Sequence, residues 1–437
     1  MRSRFAFRSA TLDGYTIEGV GRDWPLDYKD LAPYYDRIEG EVGVCGNLDH
    51  LEDLPDGKFL PPMPFKCVDY ILKRGAGKLN IPVINVRKAT LTRQHNARPA
   101  CHYCGNCMSG CDVVAKYNSA DAHLKTQAAN PRLTVIPDRI AREVVINSEN
   151  VVKGVRTIDR LTKAEGMINA RVVVVSCACV QSVALMLMSK SARYPTGLAN
   201  SSGMLGRGWI PHLTALHTAV VEELEGHEST NDEGALDHGY IPSWMHNLKR
   251  NYARSFAVQY DYQGRRSNAW WIKQVGGFGA DYKRRVRDSY PAVLVFRPNL
   301  EMLPNDQTYL DLDTERKDDY GLPMARRQLV LGDNEKKMFE HSKAMTREIL
   351  ASSKMRLVNE PERLHWPDHE LGGCIMGDDP RTSVLNKWCQ SHDVPNLFVV
   401  DGSVFPSGSE KNPTLTIMAL AARTADYIVE RLKKTEL

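Results

Sequence analysis

The sequence has little excess charge of either sign and no long apolar run of the kind that spans a membrane. Its 57 basic and 53 acidic residues leave a net charge of +4, too small a surplus to indicate a nucleic-acid partner by itself. Residues 172–189 carry no formal charge, but Ser176, Gln181 and Ser182 interrupt them, and their opening valines favour a strand. We therefore predict no membrane span and no nucleic-acid partner.

Two further features are missing. The basic residues 1–8 are not followed by the apolar stretch that a secretory signal needs. The ten cysteines are not spread like a disulfide framework, because four of them lie within eleven residues. With 437 residues, 42% of them hydrophobic and 25% charged, the chain has an ordinary globular composition, long enough for one large domain or two interleaved ones.

Hydrophobic periodicity predicts two kinds of strand. Before residue 180, short strands are predicted at residues 133–136, 143–146, 151–155 and 172–175. The last of these is entirely apolar, which is typical of a central strand. Between residues 213 and 298 the strands alternate in polarity, as in a half-buried antiparallel sheet, with Phe256, Val258, Tyr260 and Tyr262 on one face. Helices are predicted to begin near Asp27, near Asp333 or Asn334, and at Pro413.

The candidate catalytic residues lie near the C-terminus. Residues 369–377 read His-Glu-Leu-Gly-Gly-Cys-Ile-Met-Gly, and Asn412-Pro413-Thr414 opens a helix 43 positions after His369. Asn412 suits the N-cap and Pro413 the first turn, whose free amides and dipole form an anion site. A histidine with a pKa near neutrality accepts a hydroxyl proton while hydride leaves the adjacent carbon, and the Asn412 amide holds the substrate oxygen.

Each feature taken singly is more often structural, since a histidine beside Gly-Gly is usually part of a turn and an Asn-Pro helix start is usually a cap. Their co-occurrence with Val-Val-Asp-Gly-Ser-Val-Phe-Pro at residues 399–406 reverses that judgement. The pattern indicates removal of an alcohol proton beside a flavin.

These segments closely resemble the C-terminal region of the glucose–methanol–choline flavin oxidoreductases. The similarity covers residues 369–377, 383–384, 396–406 and 412–423, and family motifs also match upstream, from Trp24-Pro25 through Glu39 and at residues 200–207 ending at His212. The match is weakest from about residue 216 to 290. The cluster of cysteines and residues 303–323 look most like the gluconate- and sugar-dehydrogenase branch.

The resemblance implies a role for each matching position. His369 would be the catalytic histidine beside the flavin, and Asn412 the second catalytic residue. The implied cofactor contacts are Asp401 and Gly402 at the ribityl-pyrophosphate part, Pro413 and Thr414 at the pyrimidine edge, Ala141 beside the adenine, and Ala178 after the central strand.

The implied fold class is α/β with mixed α+β character. An incomplete Rossmann-like FAD-binding domain would comprise residues 1–212 and 365–437, and an antiparallel-sheet substrate domain residues 213–364. The expected Gly-x-Gly-x-x-Gly turn is missing, since Trp24 follows Gly19-Val20-Gly21 where its third glycine would stand. We therefore expect that on the order of a hundred residues of the family's first nucleotide-binding segment are absent.

A late start-codon assignment or a gene fragment explains this departure better than true loss of the flavin. An export signal would lie in the absent portion, so a cytoplasmic and a periplasmic location both stay open. Residues 176–179 read Ser-Cys-Ala-Cys where the family has Ala-Ala-Gly-Ala, and the methyl group of Ala178 stands where glycine permits close backbone approach. We expect both departures to weaken flavin binding.

The cysteine loop, residues 100–112, contains Cys101, Cys104, Cys107 and Cys111 in the spacing C-x2-C-x2-C-x3-C, which bacterial ferredoxins use around iron–sulfur clusters. Here Asp112 follows instead of proline, and the sequence has no second quartet. The loop therefore has four interpretations: an iron–sulfur cluster, a tetrahedral zinc site, a pair of disulfides, or a structural loop with free thiols.

We thus expect an FAD-dependent oxidoreductase that acts on CH–OH groups of sugars, polyols or sugar acids. Its electrons would leave through a quinone, a cytochrome or an iron–sulfur partner. The alternative is a catalytically inactive family fragment that serves as a binding or electron-transfer module through its cysteine loop.

Overall fold

The computed structural model describes residues 19, 21–51, 54–105, 107, 109–228, 237–244, 250–262, 269–365 and 369–437. The α-helices within these residues are α1 (Tyr28–Val42), α2 (Cys67–Gly77), α3 (Cys179–Met188), α4 (Ala269–Val275), α5 (Gly279–Ser289), α6 (Asp333–Ser352) and α7 (Thr414–Lys433). The strands are β1 (Ile84–Asn85), β2 (Arg139–Ile146), β3 (Val152–Asp159), β4 (Glu165–Asn169), β5 (Val173–Val175), β6 (Leu213–Thr214), β7 (His217–Val221), β8 (Gly239–Ile241), β9 (Phe256–Tyr262), β10 (Val293–Leu300), β11 (Tyr309–Lys317), β12 (Pro323–Gln328), β13 (Met355–Asn359) and β14 (Leu397–Val399).

Strands β5 and β14 form a parallel pair that carries one side of the site. Val173 lies opposite Leu397 and Val175 opposite Val399. Both strands are short and apolar, and both run toward the same edge, although Val174 of β5 is 44% exposed. Helix α3 follows β5 directly, so its N-terminus lies at that edge.

Strands β2, β3 and β4 form an antiparallel sheet of their own. The predicted strand at residues 143–146 lies within β2, and the one at residues 151–155 overlaps β3 from Val152 onward, so both are confirmed. The predicted strand at residues 133–136 is wrong, because that described segment forms no strand. Its apolar side chains are exposed instead, by 57% for Val135 and 49% for Ile136.

The largest sheet is antiparallel and follows the order β1-β8-β9-β10-β7-β13, with β6 beside β10. Strand β9 was predicted to be half-buried, and this is wrong, because Gln259 and Asp261 are buried as well as Phe256, with exposures of 6%, 3% and 0%. Asp261 is neutralised by Arg297 at 2.9 Å, and Gln259 bonds to the C-terminal segment. Polar residues on the second face thus serve contacts within the protein.

Strand β1 joins this sheet through β8, although it precedes residue 213. The sheet therefore combines strands from both sides of the predicted domain boundary. The division into residues 1–212 with 365–437 and residues 213–364 stays a prediction.

No helix in the described part of the chain has the length and apolar character needed to cross a membrane.

The terminal helix α7 begins at Thr414 with Pro413 as its N-cap, one residue later than predicted. Hydrophobic periodicity predicts that this helix buries a stripe of Met418, Ala422, Ala425, Ile428 and Leu432, and this prediction is wrong, because none of the five is buried. The residues that α7 buries are Leu415, Thr416, Ala419, Leu420, Arg423 and Thr424. Helix α1 packs against this face, and Tyr35 Oη lies 2.7 Å from Thr416 Oγ1.

The N-cap of helix α6 is Gly332, whereas the sequence predicted Asp333 or Asn334 at this position.

One buried histidine makes the stability of this fold depend on pH. His217 in β7 is fully buried, with Nδ1 3.2 Å from the Ala215 carbonyl oxygen, and desolvation lowers its pKa from 6.5 to about 4. As the pH falls through this range the unfolded chain gains a proton that the native chain does not bind. We expect the free energy of unfolding to decrease by at most about 3 kcal/mol. Urea unfolding between pH 7 and pH 4.5 measures this free energy. Its dependence on pH should be weaker in His217→Gln than in the wild type, and the same as in the wild type in His227→Gln, whose histidine is exposed.

Candidate active site

Residues 369–377 run alongside the loop that follows β14. The backbone N–H of Gly372 donates to the Gly402 carbonyl at 2.9 Å, and the N–H of Cys374 donates to the Ser403 carbonyl at 2.8 Å. Gly372 has φ of 78°, and a Cβ there would overlap the carbonyl oxygen of Gly208. Glycine is therefore required at this position, which explains one of the two glycines that follow His369.

A second histidine lies directly opposite His369. Ile210 and Leu371 form an antiparallel bridge with N–H···O distances of 2.8 and 3.1 Å. His212 is two residues after Ile210 and His369 is two residues before Leu371, so the antiparallel register puts their side chains face to face. Their Nδ1 atoms are 3.0 Å apart, and the rings meet edge to face at a centroid distance of 4.9 Å.

The contacts of His212 determine which nitrogen of His369 carries its proton. His212 is only 2% exposed, and its Nε2 bonds to the carbonyl oxygen of Ser409, which can only accept. A neutral His212 therefore carries its hydrogen on Nε2 and accepts at Nδ1. His369 must then donate from Nδ1, so its Nε2 holds the lone pair that a general base needs.

Asn412 is fixed by the large antiparallel sheet. Gln259 Nε2, on β9, donates to Asn412 Oδ1 at 2.8 Å, and both side chains are buried. Because Oδ1 accepts this bond, the amide presents its NH₂ group in the other direction. No direct hydrogen bond between His369 and Asn412 occurs within the described residues; the histidine pair reaches the Ser409 carbonyl, three residues before Asn412.

Asp401 and Gly402 lie where β14 ends. Asp401 Oδ1 accepts from the backbone N–H of Ser403 at 2.9 Å and from its Oγ at 2.6 Å, and Oδ2 accepts from Ser182 Oγ on α3. Asp401 therefore ties the end of β14 to α3. A Cβ on Gly402 would come within 2.7 Å of the Glu370 carbonyl oxygen, so a side chain there would displace the residue next to His369.

The remaining predicted cofactor positions lie on three other elements, α3, α7 and β2. Ala178 is exposed and is the N-cap of α3, beyond the carboxyl ends of β5 and β14, where ligands of open α/β sheets bind. Pro413 is buried and Thr414 half-buried at the start of α7, and Ala141 is half-buried in β2. Two helix N-termini with donor amides fit an anionic cofactor. Direct contact of each residue with a cofactor stays a prediction.

The backbone of Ala178 supports one prediction about binding. Its φ of 66° and ψ of 159° fall in a region that essentially only glycine adopts, at a cost of about 1–3 kcal/mol. We expect Ala178→Gly to increase the free energy of unfolding by about 1–2 kcal/mol and to bind FAD more tightly. Ala97→Gly is the control, because Ala97 is exposed and also has a positive φ of 60°. Calorimetric titration with FAD should give a lower dissociation constant than that of the wild type only for Ala178→Gly.

Among the described residues, no disulfide joins the four cysteines of this loop. Cys107 is buried, and the other three are half-buried. Among the described residues, the only group of three or more potential metal ligands within 4.8 Å of one another is His102, Cys104 and Asp112. The predicted ligand set of four cysteines stays a prediction.

Three residues of the site were not assigned a role from the sequence. His212 ended a recognised motif, and only the pairing of Ile210 with Leu371 reveals its partner. Gln259 was placed on the polar face of a half-buried strand, and no local signal marks that face as covered. Ser182 interrupts an apolar run just after a predicted strand. A serine in such a buried position was the only local sign that its hydroxyl has a partner.

Two family models, both described as GMC oxidoreductase, match residues 21–208 and 304–421. The chain is 31% identical to 2-methyl-1,2-propanediol dehydrogenase of Mycolicibacterium austroafricanum, over 97% of this chain and 77% of that protein. The chain belongs to the GMC oxidoreductase family. It is thus a member of a family of FAD-dependent dehydrogenases and oxidases that act on alcohols and sugars.

Other relatives agree with this membership. The chain is 26% identical to the fructose dehydrogenase large subunit of Gluconobacter japonicus, over 96% of this chain and 77% of that protein. It is 23% identical to the gluconate 2-dehydrogenase flavoprotein of Pantoea cypripedii, over 97% and 74%. Pyridoxine 4-oxidase from Mesorbium loti superposes with a TM-score of 0.66 at 13% identity, over 98% of this chain and 81% of that one. The predicted α/β fold with a GMC-type antiparallel sheet is confirmed.

Proposed function

We propose that this GMC oxidoreductase oxidises a CH–OH group of a sugar, polyol or sugar acid to a carbonyl group, with His369 as the general base. The observation that carries the proposal is the chain of contacts from the Ser409 carbonyl through His212 to His369. It gives His369 Nε2 a lone pair without requiring a charged neighbour. A histidine held only by packing would have no fixed tautomer.

The reaction divides between two groups of the protein. His369 Nε2 takes the hydroxyl proton, and the NH₂ group of Asn412 donates to the substrate oxygen while the C–O bond becomes a C=O bond. Gln259 keeps that amide in one orientation through its 2.8 Å bond to Oδ1. FAD, when bound, accepts the hydride that leaves the alcohol carbon.

The residues that we propose to hold FAD come from four places in the chain. The backbone amides at the start of α7, near Pro413 and Thr414, favour negative charge at the flavin ring. The turn at Asp401 and Gly402 would contact the ribityl-pyrophosphate part, and the N-terminus of α3 at Ala178 would approach it. Ala141 on β2 would flank the adenine.

The names of the relatives support the substrate class and the exit of electrons. A propanediol, fructose and gluconate dehydrogenase are all among them, and each name specifies a small polyhydroxylated compound. The fructose enzyme is named as a large subunit, which supports a separate electron-accepting partner, such as a cytochrome or a quinone. The iron–sulfur interpretation of the cysteine loop has only its spacing as support.

Anaerobic mixing tests this function directly. Protein reconstituted with FAD is mixed with fructose, gluconate, propane-1,2-diol and a long-chain alcohol, and the loss of oxidised flavin absorbance is followed with time. We expect rapid reduction by at least one polyhydroxylated substrate and reoxidation by a quinone faster than by oxygen. Bound flavin that no alcohol reduces would refute the proposal and favour the inactive electron-transfer module.

A further inference from the structure

The cysteine loop brings together three side chains of different chemistry. His102 Nε2 lies 2.9 Å from Asp112 Oδ1, and Cys104 Sγ completes a group whose ligand atoms all lie within 4.8 Å of one another. The side chains of His102 and Asp112 are 48% and 68% exposed, while Cys104 is half-buried. An ion can therefore reach the group from solvent.

The opposite side of the loop is anchored in the protein core. Cys101 and Cys111 pack against a buried cluster, and each thiol accepts a backbone N–H at 3.4 Å, from Tyr103 and Lys116 respectively. Tyr103 has φ of 59°, a left-handed conformation that is uncommon outside glycine. This fixed backbone holds His102 and Cys104 on either side of Tyr103 with their ligand atoms together.

The ligand set indicates which ion the group would take. One imidazole nitrogen, one thiolate and one carboxylate form a mixed set of borderline softness that suits Zn²⁺, with bonds of about 2.0–2.3 Å. Tetrahedral coordination at such bond lengths separates ligand atoms by roughly 3–4 Å, which the observed spacing permits after small movements of exposed side chains. A tetrahedral site of four thiolates would need the cysteine sulfurs equally close, and no such group occurs among the described residues.

We propose that His102, Cys104 and Asp112 bind one Zn²⁺ ion, with water as the fourth ligand, and that the ion holds the two ends of the cysteine loop together. The site lies apart from the histidine pair in the chain, and its test does not depend on oxidation of any alcohol. It differs from the four-cysteine set in using only one thiolate.

Cobalt titration tests the site with the full-length protein. After treatment with a chelator and desalting, Co²⁺ is added and the visible spectrum recorded as a difference against the untreated protein. We expect one Co²⁺ per chain, tetrahedral d–d bands, a charge-transfer band from a single thiolate, and displacement of Co²⁺ by one equivalent of Zn²⁺. His102→Ala and Asp112→Asn should each weaken Zn²⁺ binding roughly 10- to 100-fold, and Cys104→Ser should abolish the charge-transfer band.

Two controls separate this site from its alternatives. His50→Ala removes another exposed histidine that pairs with an aspartate, with 2.8 Å between His50 Nδ1 and Asp56 Oδ2, and should leave metal binding unchanged. Cys111→Ser should also bind Zn²⁺ normally, with thermal unfolding checked for each variant. The proposal is overturned by absence of stoichiometric binding, by binding that survives Cys104→Ser, by equal loss in Cys111→Ser, or by purified protein that contains iron held by several thiolates.

Discussion

His369→Ala is expected to lower kcat for alcohol oxidation by about a hundred- to ten-thousand-fold, the usual contribution of a positioned general base. The substitution removes the nitrogen that takes the hydroxyl proton and leaves Asn412 and Gln259 in place. Substrate affinity should change much less than kcat, because the lost interaction acts mainly in the transition state. Anaerobic stopped-flow reduction of the bound flavin measures the affected step directly.

The control is His365→Ala in the same segment. His365 is exposed, and it pairs with Thr214 through its backbone, so its side chain can be removed without changing the register. It should retain the wild-type rate. If His369→Ala kept more than a tenth of the wild-type reduction rate with its flavin bound, another group would have to be the base.

The sequence identified the reactive residues because they lie in short local motifs. His369 precedes Gly-Gly, and Asn412 precedes a proline at a helix start, so both motifs can be recognised without knowledge of the fold. His212 could not be assigned in the same way. Its role depends on the register between residues that are 157 positions apart in the chain, and periodicity within one segment does not specify register between segments.

Burial explains the other differences. Strand β9 does alternate in polarity, but Gln259 contacts Asn412 and Asp261 pairs with Arg297, so polar side chains are buried with partners of their own. Helix α7 has apolar residues on more than one face, and α1 decides which of them is covered. In both cases the packing partner, which is distant in the sequence, determines burial.

A second large effect is expected at His212, through a different mechanism from that of His369. His212→Phe keeps a buried ring but removes the acceptor for His369 Nδ1 and the donor to the Ser409 carbonyl. The tautomer of His369 is then no longer fixed, and the buried Ser409 carbonyl loses its donor, at a cost of about 1–3 kcal/mol. We expect kcat/KM to fall by roughly 10- to 100-fold, as for other residues that orient a functional imidazole.

His212→Gln distinguishes this positioning role from simple packing. Its amide oxygen can accept from His369 Nδ1 while its NH₂ group donates to Ser409, so it reproduces both hydrogen bonds without an imidazole. Activity should recover to within a few-fold of the wild-type value. ¹⁵N NMR of histidine-labelled protein reports the tautomer independently of turnover, and the wild type and His212→Gln should both show His369 protonated at Nδ1. If His369 carried its hydrogen on Nε2 in the wild type, or if Phe and Gln at position 212 had equal activity, His212 would only fill space, and the lone pair on His369 would need another cause.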